Sequence, residues 1–150
     1  MNVWKPAIAV AAIIERNGRF LFVEEEDEGR RVLNQPAGHL DPGESLVHAV
    51  AREVLEETAH RFTPTALVGV YRWHYAPRDT TFLRFAFCGD AGEVELGRAL
   101  DREIVAVHWL TLAELVARRS MHRSPLVEQC VADYLAGTRF PLEVLSREFA

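Results

Sequence analysis

The sequence predicts a layered α/β or α+β domain, on three observations. Two apolar runs flank Asn17-Gly18, a residue pair strongly favoured in tight β-hairpin turns. Apolar residues at 46, 47, 50, 51, 54 and 55, continued by Thr58, follow the spacing of one helix face. Residues 65–75 and 80–88 are rich in aromatic and β-branched side chains, as long strands are.

The first hairpin is expected to pair residues 7–15 with residues 19–25. The apolar run 7–14 resembles a signal-peptide core only superficially, because Glu15-Arg16 ends it and a second apolar run follows the turn. No apolar segment approaches the roughly 20 residues that span a bilayer. Charged residues 24–31 read as a solvated loop, with Glu24–Glu26 a solvated strand end. Residues 32–36 read as a short strand stopped by Pro36. The Gly/Pro-rich residues 37–43 form a loop, and Ser45 caps a helix running to about Ala59. The two long strands join around Pro77-Arg78-Asp79, and residues 104–110 form another strand. Thr111 caps a short helix to about Arg119, and residues 125–136 form a last helix ended by Gly137. With no internal repeat, low-complexity tract or linker, residues 1–150 read as one domain.

Seventeen basic against 22 acidic residues leave a net charge of -5, which argues against an electrostatic nucleic-acid binder. It also means that a polyphosphate substrate needs cations to approach. Cys88 and Cys130 have no C-x-x-C spacing and read as reduced packing residues of a cytoplasmic protein. Neither His39 nor His74 has a second histidine at a ligand spacing, which argues against zinc. A monomer without a nucleic-acid or membrane partner is expected.

On the predicted helix, Glu53, Glu56 and Glu57 stand at i, i+3 and i+4, so their carboxylates share one stripe. Like charges there repel by a few tenths of a kcal/mol per pair. A solvated acidic face would explain an isolated E-x-x-E-E, but the surroundings make that reading improbable. Upstream stand Gly38, then Glu44 after five residues, then Arg52-Glu53-Val54-Leu55-Glu56-Glu57 after seven more. At ordinary residue usage, the six fixed positions match by chance on the order of once in a million such chains. Mg²⁺ takes hard oxygen ligands, so carboxylates on one rigid face suit it, and Mn²⁺ is a possible substitute. Glycine at 38 lets a backbone carbonyl approach as a further ligand. Arg52 can hold one carboxylate by a bidentate pair.

This motif is the Nudix box, and the chain resembles the Nudix hydrolases. The resemblance implies an α/β/α sandwich with a mixed sheet, in which the box forms a loop–helix–loop. It implies that Glu53, Glu56 and Glu57 bind metal, that Arg52 orients them, and that Glu44 is an accessory acid. The general base is one of the box glutamates or an acid before the 104–110 strand, Glu103 or Asp101. The box ends in Ala59-His60 where the family has glycine and an apolar residue, so the helix is expected to run slightly further.

Four further blocks resemble the NudJ-type Nudix phosphatases: residues 32–40 (VLNQPAGHL), 82–85 (FLRF), 123–127 (RSPLV) and 139–143 (RFPLE). That branch implies removal of terminal orthophosphate from nucleoside tri- and diphosphates. It also implies action on thiamine diphosphate and hydroxymethylpyrimidine diphosphate. Candidate substrate contacts are Asn34, Gln35, Tyr71, Trp73, Arg84 and Arg123. Alternation places Tyr71, Trp73 and Tyr75 on one strand face, where they either pack the core or stack a ring. The alternatives are a nucleotide pyrophosphohydrolase releasing diphosphate, and a non-catalytic binding module, which would be expected to lose box acids.

Overall fold

The protein is described by a computed structural model covering residues 1–145. Its strands are β1 (Ala7–Ile13), β2 (Glu15–Arg16), β3 (Arg19–Asp27), β4 (Arg30–Asn34), β5 (Ala37–His39), β6 (His60–Tyr75), β7 (Thr80–Val94) and β8 (Ile104–Leu110). Its helices are α1 (Leu46–Thr58), α2 (Leu112–Ala117) and α3 (Leu126–Leu135). One mixed sheet has the order β5-β1-β7-β6, with β1 parallel to β7 and the other pairs antiparallel. In the second sheet β3 pairs with β2, β4 and β8, all antiparallel.

Alternation along the strands sorts the core onto two faces. Val10, Ala12, Ile14, Leu21 and Phe87 meet Val50 and Val54 of α1. Ile13, Phe20, Phe22, Ala86 and Cys88 meet Val127, Cys130 and Val131 of α3. The outcome is the expected α/β/α sandwich. Both cysteines are free and buried, in keeping with packing residues. Among the described residues no helix is long and apolar enough to cross a membrane.

Several expectations need correction. Asn17 and Gly18 form the turn, both at positive φ (53° and 77°), but it pairs only Glu15-Arg16 with Arg19-Phe20. Strand β1 leaves for the other sheet, because Val10 to Ile13 are buried on both faces and suit a central strand. Residues 24–31 are no loop: β3 and β4 run on as a hairpin that turns at Glu28-Gly29 (φ 51° and 78°). Part of the 37–43 passage is strand, since β5 pairs with β1. Strand β6 begins at His60 rather than 65, and register shifts beside Pro64 accommodate the missing N–H.

Helix α1 is capped by Ser45, whose hydroxyl accepts from the His48 N–H at 2.9 Å. It does not run further than a glycine-ended helix would. Ala59 takes the left-handed conformation itself (φ 60°) and closes α1 after Thr58. Thr111 and Glu114 form a capping box on α2.

Phe87 is fully buried and Leu96 is 94% exposed. Urea denaturation of Phe87→Ala is expected to show a loss of about 3–5 kcal/mol. Leu96→Ala should leave the midpoint unchanged, and a stability loss there matching that of Phe87→Ala would contradict the placement of the core.

Candidate active site

Helix α1 buries Val50 and Val54 together with Glu53 and Glu57, so two carboxylates share its core-facing side. Arg52 organises the neighbouring acids. Its Nε donates to one Glu44 oxygen at 2.9 Å and its Nη2 to the other at 2.6 Å, a bidentate pair. Nη1 donates to Glu53 at 2.9 Å and to Glu56 at 3.1 Å, and Nη2 also reaches the His39 carbonyl at 3.0 Å. Glu57 lies outside this reach and accepts only the Ala37 N–H, at 2.8 Å.

Each acid titrates according to its partners. Hydrogen bonding to Arg52 holds Glu44 down at about 2. Burial pushes Glu53 up to about 7, against the pull of Arg52 and with the repulsion of Glu56 and Asp101. Burial, then the charge of Glu25, pushes Glu57 up to about 9, with Glu53 and Asp101 adding repulsion. Asp101 is raised as well, chiefly by burial and by Glu56 and Glu103.

This donor set fits a hard divalent cation. Carboxylate oxygens of Glu53, Glu56 and Asp101 lie within 4.8 Å of one another, as do those of Glu57, Asp101 and Glu103. The main chain leaves room for the array. A Cβ built on Gly38 would fall 2.1 Å from the Glu53 carboxylate carbon, so glycine there permits the close approach. Asp101 is brought in by its N–H bond to the Glu56 carbonyl (3.0 Å), and the Glu103 carbonyl accepts from the Glu26 N–H (2.9 Å).

The carboxylates open into a cavity of about 510 Å³, within the size range of small-molecule sites. Of the residues singled out from the sequence, Asn34, Gly38, Glu53, Glu57, Trp73, Arg84, Asp101, Glu103 and Arg123 line it. Glu44, Arg52 and Glu56 stand behind or beside it. Gln35 and Tyr71 do not line it: Gln35 is buried behind Arg84, and Tyr71 packs on the core with its hydroxyl donating to Asp133 at 2.6 Å.

Glu25 was expected to be solvated, yet it is only 6% exposed, lines the cavity and pairs with Arg123 at 2.9 Å. Alternation from Leu21 through Val23 was the signal that could have found it. Phe82 was also missed as a wall residue. It stacks on Trp73 at 5.7 Å and beside His39 at 6.3 Å.

The NUDIX domain pattern matches residues 4–130. The chain belongs to the NUDIX family. As a Nudix hydrolase it acts on phosphoric anhydrides, and its family uses divalent metals. It is 38% identical over 143 residues to phosphatase NudJ of Escherichia coli strain K12, covering 95% of this chain and 92% of that one. The same identity and coverage hold for phosphatase NudJ of Shigella boydii. Among solved structures it resembles a NUDIX hydrolase from Nitrosomonas europaea, with TM-score 0.94, 49% identity, and 96% and 98% of the two chains covered. It also resembles a MutT protein from Methanosarcina mazei, with TM-score 0.70, 25% identity, and 91% and 98% covered. The Nudix box spans β5 and α1, where the carboxylates converge.

Two outcomes follow for the Nudix site. In the folded chain the protonated forms of Glu53 and Glu57 are favoured. Their stabilisation is present below the ordinary 4.5 and is lost as pH rises through about 7 and about 9. Metal-free protein should therefore lose melting temperature from these groups over that range. A divalent cation binds the ionised forms, so the increment it gives by calorimetry should be larger near about pH 8.5 than near about pH 6. Equal increments would contradict the burial of these acids. In Gly38→Ala the flexible end of Glu53 must move, not the backbone. The variant should fold normally and lose metal affinity by about 10–100-fold in a titration, and undiminished affinity would contradict the close approach.

Proposed function

We propose that the chain is a Mg²⁺-dependent phosphatase that releases orthophosphate from nucleoside tri- and diphosphates and related diphosphates, including those of thiamine and hydroxymethylpyrimidine. The observation that carries the reaction class is the buried carboxylate array under-supplied with positive charge, next to a cavity of nucleotide size. The preference for the terminal phosphate is supported by relatives named phosphatase NudJ, alike over 95% of this chain.

In this reading Glu53, Glu56 and Glu57 hold the metal beside the Gly38 main chain, with Mn²⁺ a working substitute. A divalent cation held there would neutralise phosphate oxygens and lower the pKa of a water bound to it. Arg52 keeps Glu44, Glu53 and Glu56 in fixed rotamers, so that little reorganisation is needed during reaction. Glu103 or Asp101, facing Glu57, takes the proton of the attacking water. The water oxygen bonds to the terminal phosphorus as the anhydride P–O bond breaks, yielding orthophosphate and the shortened substrate. Arg123, shared between Glu25 and Asp27 at 2.9 and 3.8 Å, can exchange a carboxylate for a phosphate oxygen. Trp73, backed by Phe82, offers an aromatic face to the ring of the substrate. A cytoplasmic monomer acting on free small molecules goes with this reading.

Phosphorus NMR of the products from GTP and Mg²⁺ tests it. Orthophosphate is expected, and diphosphate as the sole product would make the enzyme a pyrophosphohydrolase. Glu57→Gln should reduce turnover by about 100-fold or more, and parental turnover with Mg²⁺ would overturn the proposed ligand set.

A further inference from the structure

Arg84 sits in the middle of β7, between Ala9 of β1 and Tyr71 of β6, and only 6% of it is exposed. A charge withdrawn from water is costly unless a counter-charge meets it. Arg123, which lines the same cavity, has Glu25 at 2.9 Å. Arg84 has amides instead: its Nη1 donates to the Gln35 oxygen and its Nη2 to the Asn34 oxygen, each at 2.9 Å. Both acceptors are neutral, so they orient the guanidinium without cancelling its charge.

The surroundings hold this cation still and leave one side of it open. Gln35 is anchored to α3, because its Nε2 donates to the Val127 carbonyl at 2.7 Å. Asn34 turns its oxygen to Arg84, and its NH₂ group meets no protein acceptor among the described residues. No buried side-chain nitrogen there lacks a partner, so that group is open to the cavity, which Asn34 and Arg84 both line. Across the sheet His39 of β5 stands opposite Ala9, and Ala9 stands opposite Arg84. Two strand spacings, about 10 Å, therefore separate the box strand from Arg84. The small side chain of Ala9 lines the cavity between them. Trp73 and Phe82 form the next pair on this face, towards the turn that joins β6 and β7.

We infer that Arg84 and Asn34 form an anion subsite for the phosphate that the substrate keeps, between the terminal phosphate at the box and the ring at Trp73. This rests on the proposed phosphatase reading and assigns a site to the half of the diphosphate that is not released. Phosphate is what nucleotides, thiamine diphosphate and hydroxymethylpyrimidine diphosphate have in common, so a fixed cation that binds it serves them all. Two of the five guanidinium N–H donors are taken by the amides, which leaves others for phosphate oxygens. As water attacks the terminal phosphorus, the P–O bond to the bridging oxygen breaks and its electron pair stays on the retained phosphate. A guanidinium already in place beside that phosphate stabilises the charge that develops there.

GDP and its α-thio analogue test this on the Mg²⁺-loaded enzyme, because the α-phosphate of GDP is the one retained. Sulfur in place of an α-oxygen weakens a bond from a guanidinium, so the less favoured diastereomer should lose about 10-fold in kcat/KM with the parent. Arg84→Gln should lose about 10–100-fold on GDP and discriminate against sulfur by no more than about twofold. Arg84→Lys keeps the charge and should recover part of the GDP rate. A structural role for Arg84, or a contact made only by the metal, would lower the rate but leave the sulfur penalty in place, which overturns the inference. Asn34→Asp is nearly isosteric and should fold, and it gives Arg84 a carboxylate that competes with phosphate. It should raise KM about 10-fold for GDP and for thiamine diphosphate alike, and a rise confined to one of them overturns the inference. If the parent hydrolyses neither substrate, the phosphatase reading falls instead. Equilibrium binding to the metal-free chain then decides the subsite: GMP held more tightly than guanosine supports it, and equal affinities overturn it.

Discussion

Arg52 engages five acceptor atoms at once: both oxygens of Glu44, one each of Glu53 and Glu56, and the His39 carbonyl. On an exposed helix the repulsion among acids at these spacings is a minor penalty, but it grows as water is withdrawn. One guanidinium distributes its charge over these three carboxylates and Asp41, 3.3 Å away, and keeps the glutamate side chains fixed. Glu57, beyond that reach and 3% exposed, has a single backbone N–H and several acidic neighbours. The balance is left incomplete on the side facing the cavity, where a divalent cation would complete it in the proposed reading.

The fold exists around this constraint. Pairing of β5 with β1 carries Gly38 against Glu53, and Ser45 starts α1 so that its buried stripe mixes Val50 and Val54 with two glutamates. The β3–β4 hairpin brings Glu25 and Asp27 to the cavity from one side, and the segment before β8 brings Asp101 and Glu103. Arg123, just ahead of α3, ties that layer to β3 through Glu25, and its N–H donates to the Leu33 carbonyl at 2.9 Å. Elements from both faces of the sandwich thus meet at one end of the carboxylate helix.

Much of this was legible in the sequence because it is encoded locally. The Ser45 cap, the periodicity of α1, the span of β8 and the glutamate spacing each depend on residues within a few positions of one another. Features decided by distant partners were harder to read. Asn17-Gly18 predicted the turn correctly, but nothing local says that β1 departs to pair with β7, Ala7 opposite Phe82 and Ile13 opposite Cys88. Glu25 looked solvated because five acids, Glu24 to Glu28, follow one another there, although Leu21 and Val23 set its face inward. Ala59 shows tertiary context overriding a preference: bonds at both ends hold it left-handed, its N–H to Leu55 at 3.0 Å and its carbonyl from the Glu95 N–H at 2.8 Å. The neutral partners of Arg84 needed the fold, since Asn34 and Gln35 lie some fifty residues away in the chain.

Crystals soaked with Mn²⁺ and measured at its absorption edge test the central claim most directly, since the anomalous signal locates the ion without reference to activity. Peaks are expected in contact with carboxylate oxygens of Glu53, Glu56 and Glu57, with Arg52 still clamped on Glu44. Peaks only at surface acids, with Glu53 and Glu57 left without an ion, would contradict the assignment of this array as the metal centre.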